Sequence, residues 1–216
     1  MDVLHADSSI LVVNKPAGLA TVPGGWGCET SLTEQLESDY GRIWVVHRLD
    51  KTTSGLVVFA RTAAAHRHLS MQFERHQAEK VYHAIVVGRP AWEEHTARQP
   101  LRIDVGHSHR TIVDHHQGKA SETTFRVLER FDGYALLAAV PATGRTHQVR
   151  VHAYTLGLPL LGDTRYGAHA ADLIDRPALH AHTLAFTHPD ILEHLSFTAP
   201  YPRDFEIVLQ FLRKKK

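Results

Sequence analysis

Residues 47–62 read HRLDKTTSGLVVFART. The first half sets Asp50 between the cations Arg48 and Lys51, ahead of the hydroxyl-rich run Thr52-Thr53-Ser54 that ends in Gly55. The second half, Gly55 to Arg61, is a β-branched apolar run and reads as a strand, with a shorter one before it at Trp44 to His47. In extended backbone residues 48 and 50 point to the same side, so Arg48 and Asp50 can share one cleft. A neighbouring cation favours the ionised carboxylate, the only form able to act as a nucleophile. The ordinary alternative is a turn aspartate that caps backbone N–H groups beside a surface arginine.

Downstream, Thr62 is placed to cap a helix reaching about Gln77, in which Ala65, Leu69 and Phe73 recur every four residues. Val81 to Gly88 returns to strand composition, whereas 89–118 has no clear period and is read as irregular connection with one short strand at Leu101 to Val105. Lys119 to Glu129 and Tyr134 to Val140 form a hairpin around Asp132-Gly133. Arg145 to Leu156 is a helix closed by Gly157, with Pro159 just beyond. Strands near Leu179 to Thr187 and His194 to Thr198 and a helix from Pro202 complete the chain. Upstream, Ile10 to Asn14 is a strand stopped by Pro16 and Gly18. Residues 31–40 are helical, with Ser31 and Glu34 spaced as a capping box. Strands interleaved irregularly with few helices predict an α+β fold: a mixed, mainly antiparallel sheet with flanking helices, in a single domain over residues 1–216.

The 216 residues carry 24 Lys/Arg against 23 Asp/Glu, a net charge of +1 that favours no partner by itself. The distribution is uneven, because residues 1–41 hold one Lys against six acids and residues 42–80 hold seven Lys/Arg against three. The basic excess flanks HRLD, where it can focus field on a phosphate-bearing ligand, although a solvated mixed-charge face explains it as well. No apolar run is long enough for a membrane span and the N-terminus lacks a signal-peptide layout, so a cytoplasmic protein without membrane contact is expected. Cys28, the only cysteine, makes neither a disulfide nor a Cys-based zinc site and reads as a passive loop thiol.

Two further segments carry polar groups in a pattern. On the 145–156 helix Val149, Ala153 and Leu156 form a buried stripe, and His147, Arg150 and Tyr154 lie on the next one. A half-buried Arg150 needs a carboxylate, for which Asp50 is one candidate among several. Lys80 and Tyr82 share a strand face, where a tyrosine can stack on a nucleobase but is more commonly core. Eighteen histidines, with clusters at His107, His109, His115 and His116 and at His180 and His182, raise the alternative of metal-dependent hydrolysis. No H-E-x-x-H or similar spacing supports it, and no metal is expected.

These segments together resemble the RluA-type pseudouridine synthases. The matching stretches are VNKPAGLATVPG (13–24), HRLDKTTSGLVVFART (47–62), EKVYHAIVVG (79–88), GKASETTF (118–125), PATGRTHQVRVHAYTLGLPLLGDTRYG (141–167) and LHAHTLAFTHP (179–189). The resemblance implies the pseudouridine synthase catalytic fold and a cofactor-free isomerase acting on uridines in structured transfer or ribosomal RNA. It implies Asp50 as the catalytic carboxylate, Arg150 as the cation that pairs with it, and Tyr82 as the stacking or proton-moving residue. It gives Arg48 the space left by a flipped uridine, and Lys15, Lys80 and Arg145 phosphate contacts. About nine residues before the first strand leave no room for the S4-type RNA-binding module of larger members, so selection is expected from the catalytic domain, a monomer reading the shape of a stem-loop. The alternative is a non-catalytic RNA-binding module of the same fold, against which the intact Asp50, Tyr82 and Arg150 set argues.

Overall fold

A computed structural model describes residues 1–24, 30–106, 110–167 and 173–215, with the side chain of Asp104 excepted. Cys28, His107 and His109 lie outside the described residues. The strands are β1 (Asp2–Ala6), β2 (Ile10–Lys15), β3 (Trp44–Val45), β4 (Ser54–Ala60), β5 (Glu79–Val87), β6 (Glu94–Ala97), β7 (Leu101–Val105), β8 (Arg110–Val113), β9 (Thr123–Arg130), β10 (Tyr134–Pro141), β11 (Leu179–Thr187) and β12 (His194–Thr198). The helices are α1 (Leu32–Tyr40), α2 (Ala63–Glu74), α3 (Gln148–Thr155) and α4 (Arg203–Lys214), with one 3-10 turn at Thr164–Tyr166. The class is α+β as expected, and the chain divides into two compact units, Met1–Lys80 with Ala181–Tyr201 and Val81–His180 with Pro202–Lys216.

In the first unit β2 pairs antiparallel with β1 and β4, β3 pairs with β4, and β11 with β12. Every residue of β4 is buried, which is why its sequence is a continuous apolar run and does not alternate. Ile10, Val12, Leu56, Val58 and Ala60 pack with Ala65 and Leu69 of α2. Ser31 and Glu34 form the predicted capping box on α1, and the Thr62 side chain accepts from Ala65 N–H at the start of α2. Helix α2 stops at Glu74, short of Gln77, because His76 takes a left-handed conformation (φ 57°). Gly55 allows no side chain: a Cβ there would stand 2.2 Å from the Ala181 carbonyl oxygen, and its φ is +112°.

In the second unit the strand order is β5-β10-β9-β6, antiparallel throughout, and β7 and β8 form a separate hairpin. Ala84, Val86, Phe125, Leu137, Val149, Ala153 and Leu160 make its core. Helix α4 is tied down at its first turn by Arg176, which donates to both oxygens of Asp204 at 2.6 and 2.9 Å. The hairpin at Gly133 (φ 74°) is as predicted.

Three expectations are corrected. The first strand begins at Asp2, where about nine residues were expected to precede it. Residues 89–118 contain three strands, β6, β7 and β8, where one was expected. Helix α3 starts at Gln148, three residues late, since His147 is left-handed (φ 55°) and the Arg145 N–H is capped by the Gln148 side chain.

Candidate active site

The HRLD loop, residues 46–53, connects β3 to β4 and is fastened by the loop that follows β2. Thr21 Oγ1 donates to Leu49 O at 2.9 Å and accepts from Leu49 N–H at 3.2 Å. On the other side of Asp50, Lys51 O accepts from Gly18 N–H at 2.8 Å. Asp50 O accepts from Thr53 N–H, closing the turn. Leu49 is buried, Asp50 is half-buried and Arg48 is exposed, so the carboxylate reaches solvent from a backbone pinned immediately before and after it.

Lys15 is wholly buried, and its ammonium donates to Pro16 O and Leu19 O at 2.8 Å each and to Lys51 O at 3.3 Å. A phosphate contact was expected of an exposed Lys15, and the structure instead buries the side chain. The side chain has no solvent access and holds the two loops together. His47, three residues before Asp50, stacks on Phe73 at 4.5 Å and accepts from Val58 N–H at its Nε2 (3.1 Å). Burial first, and the positive charge of Lys80 second, push His47 down to about 3, so it is a neutral packing element. Lys80 is itself half-buried over the Phe73 ring, and its pKa is lowered by that burial.

In the second unit the GRTHQVRVH stretch is used almost residue by residue. Gln148 accepts from Thr143 Oγ1 and Arg145 N–H and donates to Glu122 O and Thr123 Oγ1, which fixes the loop before α3. Arg150, 6 % exposed, forms a fork on Asp163, with Nε to Oδ2 at 2.7 Å and Nη2 to Oδ1 at 2.8 Å. His152 is fully buried between Thr123 Oγ1 (2.9 Å) and Gln99 O (3.0 Å), and burial lowers its pKa against the opposing pull of the Gln99 carbonyl. Tyr82 is half-buried at the margin of the core, opposite Ala139 across the β5–β10 pair. Arg145 is exposed and, with Arg102, Gln117, Lys119 and Gly144, lines an open groove beside the β7–β8 hairpin.

Reading the sequence for a partner of Arg150 missed Asp163, as well as the role of Tyr166 beneath it. Their signal was present in the LGDTRYG run. Gly162 (φ +74°) packs so closely that a Cβ would lie 2.2 Å from Arg176 O, and Asp163 follows it directly. Among the described residues no group of three or more His, Cys, Asp or Glu is arranged to hold a metal ion, and no helix is long and apolar enough to cross a membrane.

A family model described as RNA pseudouridylate synthase matches residues 9–154, which takes in the pinned Asp50 loop and most of α3. The chain belongs to this family. The dual-specificity RNA pseudouridine synthase RluA of Escherichia coli O6:H1 is 40% identical over 92% of each chain. The ribosomal large subunit pseudouridine synthase D of Zymomonas mobilis is 36% identical over 98% of this chain and 73% of its own. Among solved structures, human RNA pseudouridylate synthase domain containing 4 superposes with a TM-score of 0.80 at 26% identity, covering 98% of this chain and 92% of that one. The chain is thus an RluA-family isomerase acting on uridine in RNA, as its motifs implied.

Proposed function

We propose that Asp50 is the catalytic carboxylate for the conversion of uridine to pseudouridine in a stem-loop of transfer or ribosomal RNA. One observation carries the reading: the backbone is hydrogen-bonded to the neighbouring loop at Leu49 and again at Lys51, so the turn that presents the half-buried Asp50 is held in place before substrate arrives. In the reaction the N1–C1′ bond breaks, the uracil turns, C5 bonds to C1′, and a proton leaves C5 while one is gained at N1. Nothing is oxidised and no group is donated, so residues alone suffice. Asp50 attacks C1′ or C6, or promotes a glycal intermediate, and each route needs it ionised. Arg150 supplies the cation that supports this charge, Tyr82 stacks on the base, and Arg48 fills the place of the flipped nucleotide. The names of the relatives, one dual-specificity and one ribosomal, support structured RNA as the substrate class.

Phosphate contacts are assigned to the groove bearing Arg102, Lys119 and Arg145, with Lys80 as a further one. The functional form is a cytoplasmic, cofactor-free monomer in which residues 1–216 serve as one catalytic domain. The deciding experiment is Asp50→Asn assayed on transfer and ribosomal RNA transcripts. Isomerisation is abolished while RNA binding is kept, because the amide has the shape but not the charge. Turnover by this variant, once deamidation to Asp is excluded, overturns the assignment. Mapping pseudouridines in a deletion strain then identifies the RNA.

A further inference from the structure

Tyr166 is 5 % exposed and meets β7, β8 and α3 of the second unit at once. Its ring lies 5.1 Å from the Arg150 guanidinium carbon and 5.5 Å from that of Arg110. Its hydroxyl oxygen accepts from Thr111 N–H on β8 at 3.1 Å, which leaves the phenolic hydrogen for His147 Nδ1 at 2.9 Å. The ring also closes a small apolar cluster with Leu101 of β7 and Val151 of α3, with Val113 packed against it. One 3-10 turn separates it from Asp163, whose carbonyl accepts from Tyr166 N–H at 3.1 Å. The same short segment therefore grips Arg150 twice: Asp163 takes the Nε–Nη2 edge of the guanidinium and Tyr166 takes its face.

A carboxylate fork holds one edge of a guanidinium, and an aromatic face packed against it adds a restraint on its plane. We propose that Tyr166 is a positioning residue of the synthase that sets the plane of the Arg150 guanidinium and, through its hydroxyl, ties that plane to the β7–β8 hairpin. This rests on the catalytic role assigned to Arg150 above. Tyr166 contributes to the chemical step through Arg150 and adds nothing to RNA affinity.

The test is single-turnover kinetics and RNA binding for Tyr166→Met, which keeps bulk without a ring face, and Tyr166→Phe, which keeps the face. The Met variant slows the chemical step about ten-fold, the scale of one desolvated cation–aromatic contact, with the RNA dissociation constant unchanged. The Phe variant restores the rate to within about three-fold of the parent, since the face remains. In an Arg150→Met background Tyr166→Met has no further effect. A Met variant as fast as the parent, a loss that appears in affinity alone, a Phe variant as slow as the Met variant, or an additive loss in the Arg150→Met background overturns the proposal. If Arg150→Met alone retains full rate, the role of Arg150 fails instead. Thermal melts confirm that each variant is folded, and should the Met variant not fold, Tyr166→Phe with Arg150→Met is compared in the same way, a rate loss in Phe that persists without Arg150 being the overturning result.

Discussion

Thr21 and Leu49 are bonded in both directions, hydroxyl to carbonyl and amide to hydroxyl, across 28 residues of sequence. The pair anchors the HRLD loop at the residue before Asp50. Thr21→Val keeps the shape and removes both bonds, leaving a buried N–H and C=O without these partners. The expected cost is about 1–3 kcal/mol of stability, read as a lower urea midpoint, together with a slower chemical step at unchanged RNA affinity. An unaltered midpoint and rate would show that the loop is held elsewhere.

His47 makes stability depend on acid in a calculable way. The folded chain holds this imidazole neutral down to about pH 3, while the unfolded chain protonates it near its usual 6.5. Its stabilising contribution is therefore complete above pH 6.5 and is lost as pH falls toward 3. At pH 5 the loss is about 2 kcal/mol, from 1.5 pH units at 1.36 kcal/mol each. His152 and His182 are also pushed down by burial and act in the same direction. The readout is consequently the difference between parent and His47→Gln in urea unfolding at pH 7.5 and 5.0, which narrows by about 2 kcal/mol on acidification.

Arg48, exposed in the HRLD turn, has a proposed mechanical role that kinetics can separate from an electrostatic one. Arg48→Ala weakens productive binding to a folded stem-loop, where flipping costs a few kcal/mol of unstacking, and has less effect on an unstructured strand holding the same uridine. Equal losses on both RNAs indicate an effect on the charge of Asp50.

Arg145 and Lys119 line one groove and are both exposed. Replacing either by Ala lowers the slope of log affinity against log salt by about 0.7–0.9, with little change in the single-turnover rate at saturating RNA. A slope equal to that of the parent removes the groove from the RNA path.

Most of the fold was legible because its signals are local. The capping box at Ser31, the cap at Thr62 and the turn at Gly133 each lie within four residues of the element they end. The misses share a physical cause. DVLHA, EHTA and RTIV are short, partly exposed strands whose pairing, more than their composition, makes them strands. His147 breaks the start of α3 through a backbone conformation that its residue type only weakly favours. At the site, residue types pointed to Asp50, Tyr82 and Arg150, but Asp163 and Tyr166 come from a 3-10 turn thirteen and sixteen residues past Arg150, a distance that no helical or strand period spans. The burial of Lys15 was missed for a related reason: lysine is almost always a surface residue, and only tertiary structure supplies three carbonyls to receive it.

Those three carbonyls, from Pro16, Leu19 and Lys51, surround the Lys15 nitrogen much as oxygen ligands surround an alkali-metal ion. This cation, however, is tethered by its own side chain and cannot be diluted, exchanged or chelated away. Order in the HRLD turn is thus decided when the polypeptide folds, independent of which monovalent ions the surroundings offer. An amine-reactive reagent that marks the exposed lysines leaves Lys15 unmodified until the chain is denatured.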